Sequence, residues 1–177
     1  MYCRSSLGHV DAYLAVVSRR DTRTYARAPL PDGAAERILQ AGRLAGSAKN
    51  RQPWRFIVVG DPADAQRLAE AVWAPGNVLG AALLVAITLP RGGSGFDAGR
   101  AAQNMMLAAW GDGIASCPNG LRDQEAARAA LAVPEDRDLV TVLSFGLPAN
   151  PRDPARRTAE EWIARADRRP LDELVRR

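Results

Sequence analysis

The apolar positions of this chain change their period several times, and each change marks an element. Between about residues 11 and 20, Ala12, Leu14, Val16 and Val17 recur at three- and four-residue spacing, which predicts a short helix. A turn follows at Pro29-Leu30-Pro31-Asp32-Gly33. Asp32 is a plausible N-cap for the next helix, with Ala35 rather than Glu at N3, so the capping box is incomplete. That helix runs through Ile38, Leu39, Ala41, Leu44 and Ala45, and Gly46 ends it. Residues 54–59 read as a strand closed by Gly60-Asp61-Pro62, and residues 63–73 as a helix. Ala74-Pro75-Gly76-Asn77 breaks the chain. The continuous apolar run 82–89 suits a strand buried on both faces.

The strongest helix spans 96–112. Ala98, Ala101, Ala102, Met105, Met106, Ala108 and Ala109 form a wide stripe of mostly small residues, which predicts close packing on two sides. The chain then leaves through Ile114 to a turn at Ser116-Cys117-Pro118-Asn119-Gly120. A helix over 124–131, a strand over 139–145 and a polar, Arg-rich tail with a short helix near 159–166 complete the pattern. Helices and strands mix without a strict βαβ repeat. No Gly-x-Gly-x-x-Gly follows a strand, so a Rossmann dinucleotide site is not indicated. There are no internal repeats.

Composition narrows the class. The 177 residues are 47% hydrophobic and 25% charged, which suits one domain with its own core. The net charge of +4 and pI near 9.7 raise nucleic acid as a partner. The arginines are scattered, however, and no aromatic stacking platform or recognition helix accompanies them; a small anionic ligand fits equally well. Lys49 is the only lysine. Cys3 and Cys117 make neither a disulfide framework nor a metal-ligand spacing, so a reducing compartment is the simplest reading. The longest apolar stretch is far shorter than the roughly 20 residues a membrane span needs. The expectation is a soluble cytoplasmic protein that touches neither membrane nor nucleic acid.

Three segments could carry chemistry. In Ser18-Arg19-Arg20-Asp21-Thr22-Arg23, Arg19 and Arg23 share a helix face, and guanidinium groups bind phosphate bidentately. Cations at a helix C-terminus also suit its dipole, so this spacing has a plain structural reading as well. Residues 46–54 carry Lys49, Asn50, Arg51 and Gln52 between a small-residue turn and Pro53-Trp54. Such a loop can bring amides to a flat polar ligand, or simply lead a buried Trp into a strand. In the third, Gly120 permits close backbone approach, or serves an ordinary turn. His9, the single histidine, reads as a surface residue and cannot build a His-based metal site. Met105, Met106 and Cys117 read as core. No nucleophile–base set and no carboxylate pair is visible, so an enzyme of this sequence would rely on a bound cofactor.

Taken in order, these segments resemble the FMN-dependent nitroreductase family. Arg19-Arg20-Asp21-Thr22-Arg23 with Tyr25 is similar to the family's Arg-Arg-Ser-x-Arg-x-Phe opening. Residues 46–54 are similar to its Ala-Pro-Ser-x-x-Asn-x-Gln-Pro-Trp signature. Residues 97–109 resemble its long dimer-interface helix, Phe145-Gly146-Leu147-Pro148 the end of its last core strand, and Arg168-Arg169-Pro170-Leu171-Asp172-Glu173-Leu174 its C-terminal segment. Asp21 stands where Ser is commoner, and Gly46 where Pro is usual. The resemblance implies an α+β three-layer sandwich, with a central mixed, mostly antiparallel sheet flanked by helices, in an intertwined homodimer. It implies one FMN-binding domain over 1–177, with 151–177 as a C-terminal arm. It places Arg19, Arg20, Arg23 and Arg168 at the FMN phosphate and ribityl end. Ser47, Ala48, Asn50 and Gln52 fall at the flavin of the other subunit, and Asn119 and Gly120 beside the isoalloxazine, with no metal site and no catalytic side chain.

The implied activity is ping-pong electron transfer from NADH or NADPH to a small nitroaromatic or quinone acceptor. The short 74–96 region leaves no room for the helical insertion that often covers the flavin, so broad or bulky acceptors are expected. Two alternatives share the motifs: a non-catalytic flavin-binding or sequestering protein, and a flavin-cleaving dimethylbenzimidazole synthase-like enzyme with Arg-Arg-Asp. Arg23→Ala is expected to weaken FMN binding by about 1–3 kcal/mol through loss of a charge-assisted bond. A flavin titration giving an unchanged dissociation constant would remove Arg23 from the phosphate site.

Overall fold

The computed structural model of the chain describes residues 11–176; Cys3 and His9 lie outside the described residues. The described chain forms two compact units, Arg20–Arg152 and a smaller one made of residues 11–19 with 153–176.

The larger unit opens with helix α2 (Ala34–Arg43), numbered after helix α1 (Ala12–Ser18) of the smaller one. Gly33, at φ 75°, takes the N-cap of α2. Asp32, the residue expected there, sits one position earlier; a left-handed cap is glycine's conformation. Strand β1 (Arg55–Val58) follows, then helix α3 (Pro62–Glu70), capped by the Asp61 carboxylate on the Ala63 N–H with Pro62 in its first turn. The break expected at residues 74–77 is a short helix, α4 (Pro75–Leu79), because a Pro at N1 starts a helix as readily as it ends one. Strand β2 (Leu83–Pro90) and helix α5 (Gly95–Gly111) come next.

The segment expected to turn at 116–120 is instead strand β3 (Ala115–Asn119). Pro118 hid it, since Pro is excluded from central strands. β3 pairs only with one neighbour, and an edge strand tolerates Pro. Helix α6 (Gln124–Ala130) and strand β4 (Arg137–Gly146) complete the unit.

The four strands lie in the order β1-β2-β4-β3, and every pairing is antiparallel. The sheet is thus wholly antiparallel among the described residues, in keeping with the mixed, mostly antiparallel sheet expected. β2 is the reason for three layers. Its Leu83, Val85, Ile87 and Leu89 enter one core with Ile38 of α2 and Met105 of α5. Its Leu84 and Ala86 enter a second core with Leu68, Val78, Ala127 and Val142. Alternation along a strand separates the two sets, and burial on both faces gives the unbroken apolar run. The result is an α+β three-layer sandwich, with α2 and α5 on one face and α3, α4 and α6 on the other.

The smaller unit carries α1, a 3-10 turn at Pro154–Arg156, helix α7 (Ala159–Ala164) and helix α8 (Leu171–Leu174). Thr158 and Glu161 make a full capping box on α7. The Trp162 indole is buried and donates to the Pro154 carbonyl at 2.8 Å, with the Arg157 guanidinium over its ring. No helix among the described residues is long and apolar enough to cross a membrane.

Contact between α2 and α5 depends on Gly42. A Cβ there would overlap Met105 Cε and lie 2.9 Å from Met105 Cγ and 3.1 Å from Phe56 Cζ. Gly42→Ala should cost about 1–3 kcal/mol by overpacking, read as a lower Tm. An unchanged Tm would mean the helices do not pack this closely.

Candidate functional site

The loop from α2 to β1 holds the most unusual backbone of the chain. Lys49, Asn50 and Gln52 all have positive φ, at 52°, 54° and 48°. Left-handed conformation costs a non-glycine residue on the order of 1–2 kcal/mol, so three in four positions need local support. Ser47 supplies it. Its hydroxyl accepts the Gln52 N–H at 2.8 Å, and its carbonyl accepts the Asn50 N–H at 3.0 Å. The side chains of Ala48, Lys49, Asn50, Arg51 and Gln52 consequently stand exposed.

Two further residues hold the loop's ends. A Cβ at Gly46 would overlap the Arg100 guanidinium, so glycine here admits Arg100 from α5, whose charge also lies over the Phe96 ring. At the other end, buried Arg137 donates to the carbonyls of Pro53 and Thr88, both at 2.9 Å, and to Thr88 Oγ1 at 2.9 Å. Desolvation, and then the charge of Arg55, lower the Arg137 pKa. Fixed carbonyl partners offset that burial. The sequence reading did not single out Arg137; a charged residue opening an apolar strand was its only signal.

A second cluster forms between the paired strands β3 and β4. Ser144, fully buried, donates to the Cys117 carbonyl at 3.1 Å and accepts from Asn119 Nδ2 at 3.2 Å. The Tyr25 hydroxyl lies within hydrogen-bond distance of Ser144 Oγ, at 2.9 Å, and donates to the Ser144 carbonyl at 3.2 Å. Asn119 Nδ2 also reaches the Val142 carbonyl at 3.1 Å, and Asn77 Nδ2 reaches Cys117 Sγ at 3.7 Å. Asn119 Oδ1 and Ser116 Oγ are buried without a hydrogen-bond partner. Asn119 is thus turned inward, and at this turn Gly120 is the exposed residue. Tyr25, Ser144 and Asn77 were not named as site residues from sequence.

The arginine segment joins this cluster through its backbone. The Thr22 N–H donates to the Ser116 carbonyl at 3.0 Å, and Tyr25 forms a bridge with Pro148. Arg20 and Arg23 therefore flank β3, and Arg23 is exposed. Gly146 lets the Tyr25 ring lie on the end of β4; a Cβ there would come within 2.8 Å of the ring. The structure thus draws the 20–25 segment to β3 and orders 46–54 as one loop. Arg19 and Arg168 belong to the smaller unit, where Arg19 caps α1 and Arg168 Nη1 donates to the Ala166 carbonyl at 3.1 Å.

The model of the nitroreductase family matches residues 16–88 and 91–147, well over half of the chain. The chain belongs to the nitroreductase family. A candidate NADH dehydrogenase/NAD(P)H nitroreductase from Archaeoglobus fulgidus is 32% identical over 149 residues, covering 78% of this chain and 86% of that protein. A Thermus thermophilus NADH dehydrogenase is 42% identical over 74 residues, but the match spans only 36% of its length. Among solved structures, a candidate nitroreductase from Desulfovibrio desulfuricans in complex with FMN superposes with a TM-score of 0.75 at 29% identity, covering 93% of this chain and 95% of that one. A nitroreductase family protein of Clostridium difficile 630 shares the fold at a TM-score of 0.79 and 22% identity, covering 94% and 97%. The family resemblance and the three-layer fold inferred from the motifs both hold.

Burial pushes the Tyr25 phenol up to about 12, against the opposing effect of its hydrogen bond to Ser144. A folded-state pKa above the unfolded value near 10 favours folding below pH 10, and that contribution is lost as pH rises through 12. Tyr25→Phe should lower stability by about 1–3 kcal/mol at neutral pH. The gap from wild type should narrow between pH 10 and 12 in urea titrations; parallel pH profiles would disprove the buried phenol.

Proposed function

We propose that this chain is an FMN-dependent oxidoreductase that takes electrons from NADH or NADPH and passes them to quinone or nitroaromatic acceptors in ping-pong fashion. The observation that carries the reading is the 47–52 loop, whose left-handed backbone holds Asn50 and Gln52 outward beside Lys49 and Arg51. Membership of the nitroreductase family and the FMN found in the Desulfovibrio relative support it.

The exposed donors suit FMN. Arg20 and Arg23 offer cationic forks for a phosphate. Ser47, Ala48, Asn50 and Gln52 offer backbone and amide groups for a flat polar ring. Gly120 offers exposed backbone with no side chain of its own. Asn119 contributes by setting that turn from inside rather than by touching the ring. When bound, FMN would supply reversible two-electron chemistry that no side chain here provides. Lys49, Arg51 and the arginine forks would favour negative charge on that ring through fixed dipoles and cations.

The site is completed in a homodimer. The outer face of α5 carries exposed Phe96, Gly99, Arg100, Gln103 and Asn104, the surface expected to meet a second copy. The chain is read as one FMN domain, with residues 151–177 as an arm, working in the cytoplasm.

Purified protein should be yellow or take up FMN stoichiometrically, and NADH or NADPH should bleach the flavin band, which menadione then restores. A protein that binds no FMN refutes the reading. Bound flavin that neither nicotinamide reduces would make it a flavin-sequestering protein instead.

A further inference from the structure

Of the four tryptophans, Trp54, Trp110 and Trp162 are buried at 7%, 2% and 8% exposure, whereas Trp73 is 72% exposed. A single exposed apolar side chain is ordinarily unremarkable. Trp73 differs because its backbone is fixed on both sides. Val72 bridges Leu121, the Trp73 N–H donates to the Gly120 carbonyl at 3.0 Å, and the N–H groups of Arg122 and Asp123 donate to the Ala71 carbonyl at 2.8 and 3.1 Å. The indole lies against Gly120. A Cβ at position 120 would sit 3.1 Å from Trp73 Cδ1 and 3.9 Å from Nε1, so a side chain there would displace the ring. The chain thus holds a large electron-rich ring at the edge of the one exposed backbone turn of β3, and leaves most of it open.

We propose that Trp73 forms one wall of the acceptor site, where its indole stacks on flat, electron-poor aromatic acceptors such as quinones and nitroaromatics. The inference rests on the reading that Gly120 borders the flavin ring. Offset stacking pairs an electron-rich indole with an electron-poor ring, and the indole offers little to a small inorganic oxidant. Trp73 is a specificity-determining residue: it sets which acceptor is held and takes no part in electron or proton movement.

The test compares FMN-loaded wild type with Trp73→Leu and Trp73→Phe, using menadione and ferricyanide as acceptors. Trp73→Leu should raise the menadione KM about three- to tenfold, the loss of one stacking contact, with Trp73→Phe in between. Ferricyanide kinetics and the FMN dissociation constant should stay unchanged. As a readout apart from turnover, acrylamide should quench an emission component present in wild type and missing in Trp73→Phe, and menadione should protect it in the oxidised, FMN-loaded protein. An unchanged menadione KM in a Trp73→Leu protein that still binds FMN overturns the proposal and leaves the flavin function standing. An indole shielded from acrylamide before any acceptor is added overturns it too, because a second copy then covers the ring. A wild type that takes up no FMN defeats the function itself, and the proposal with it.

Discussion

The Ser144 hydroxyl, with no exposure to solvent, joins three segments that are far apart in the chain. It meets Tyr25 from the arginine segment, Asn119 from the end of β3 and the Cys117 carbonyl from its middle. In a buried setting each of these groups costs free energy unless it is paired, so the network tolerates little freedom. Its consequence is geometric. The Asn119 side chain is pulled inward, Gly120 is left outward, and the Tyr25 ring is seated on Gly146. The exposed turn and the backbone of the arginine segment are both tied to this polar core.

Around that network the sheet does conventional work. β2 sends alternate residues into two apolar cores, and helices cover both faces. Covered faces push the candidate binding groups to loops and strand ends. β3 lies at the sheet's edge, so its last residues can carry Pro118 and finish in an open glycine. α5 buries Ala98, Ala101, Met105 and Ala109 and turns Phe96, Arg100 and Gln103 outward. The small residues of its stripe, met by Gly42, let α2 approach closely.

The 46–54 loop shows strain held by ordinary parts. Three left-handed residues persist because Ser47 bonds across them and Arg137 grips the Pro53 carbonyl. Strain of this kind survives where the surroundings over-determine it, and it is commonest at binding sites.

Local apolar patterning and turn residues marked the helices α2, α5 and α6 and the strands β1, β2 and β4. The order of short motifs determined the family, since Arg-rich opening, Asn-x-Gln-Pro-Trp loop and long helix are local in sequence. Tertiary structure decided what depends on pairing across the chain. Strand β3 exists because β4 supplies its hydrogen bonds, which no propensity at Cys117-Pro118 could announce. The amide nitrogen of Asn119 is held inside, because Ser144 and the Val142 carbonyl, more than twenty residues away, accept from it. Trp73 read as an ordinary helix end, and Arg137 fell before the strand expected at 139–145. Their roles arise only where Gly120 and Pro53 are brought beside them, and contacts over such separations leave no periodic trace in the sequence.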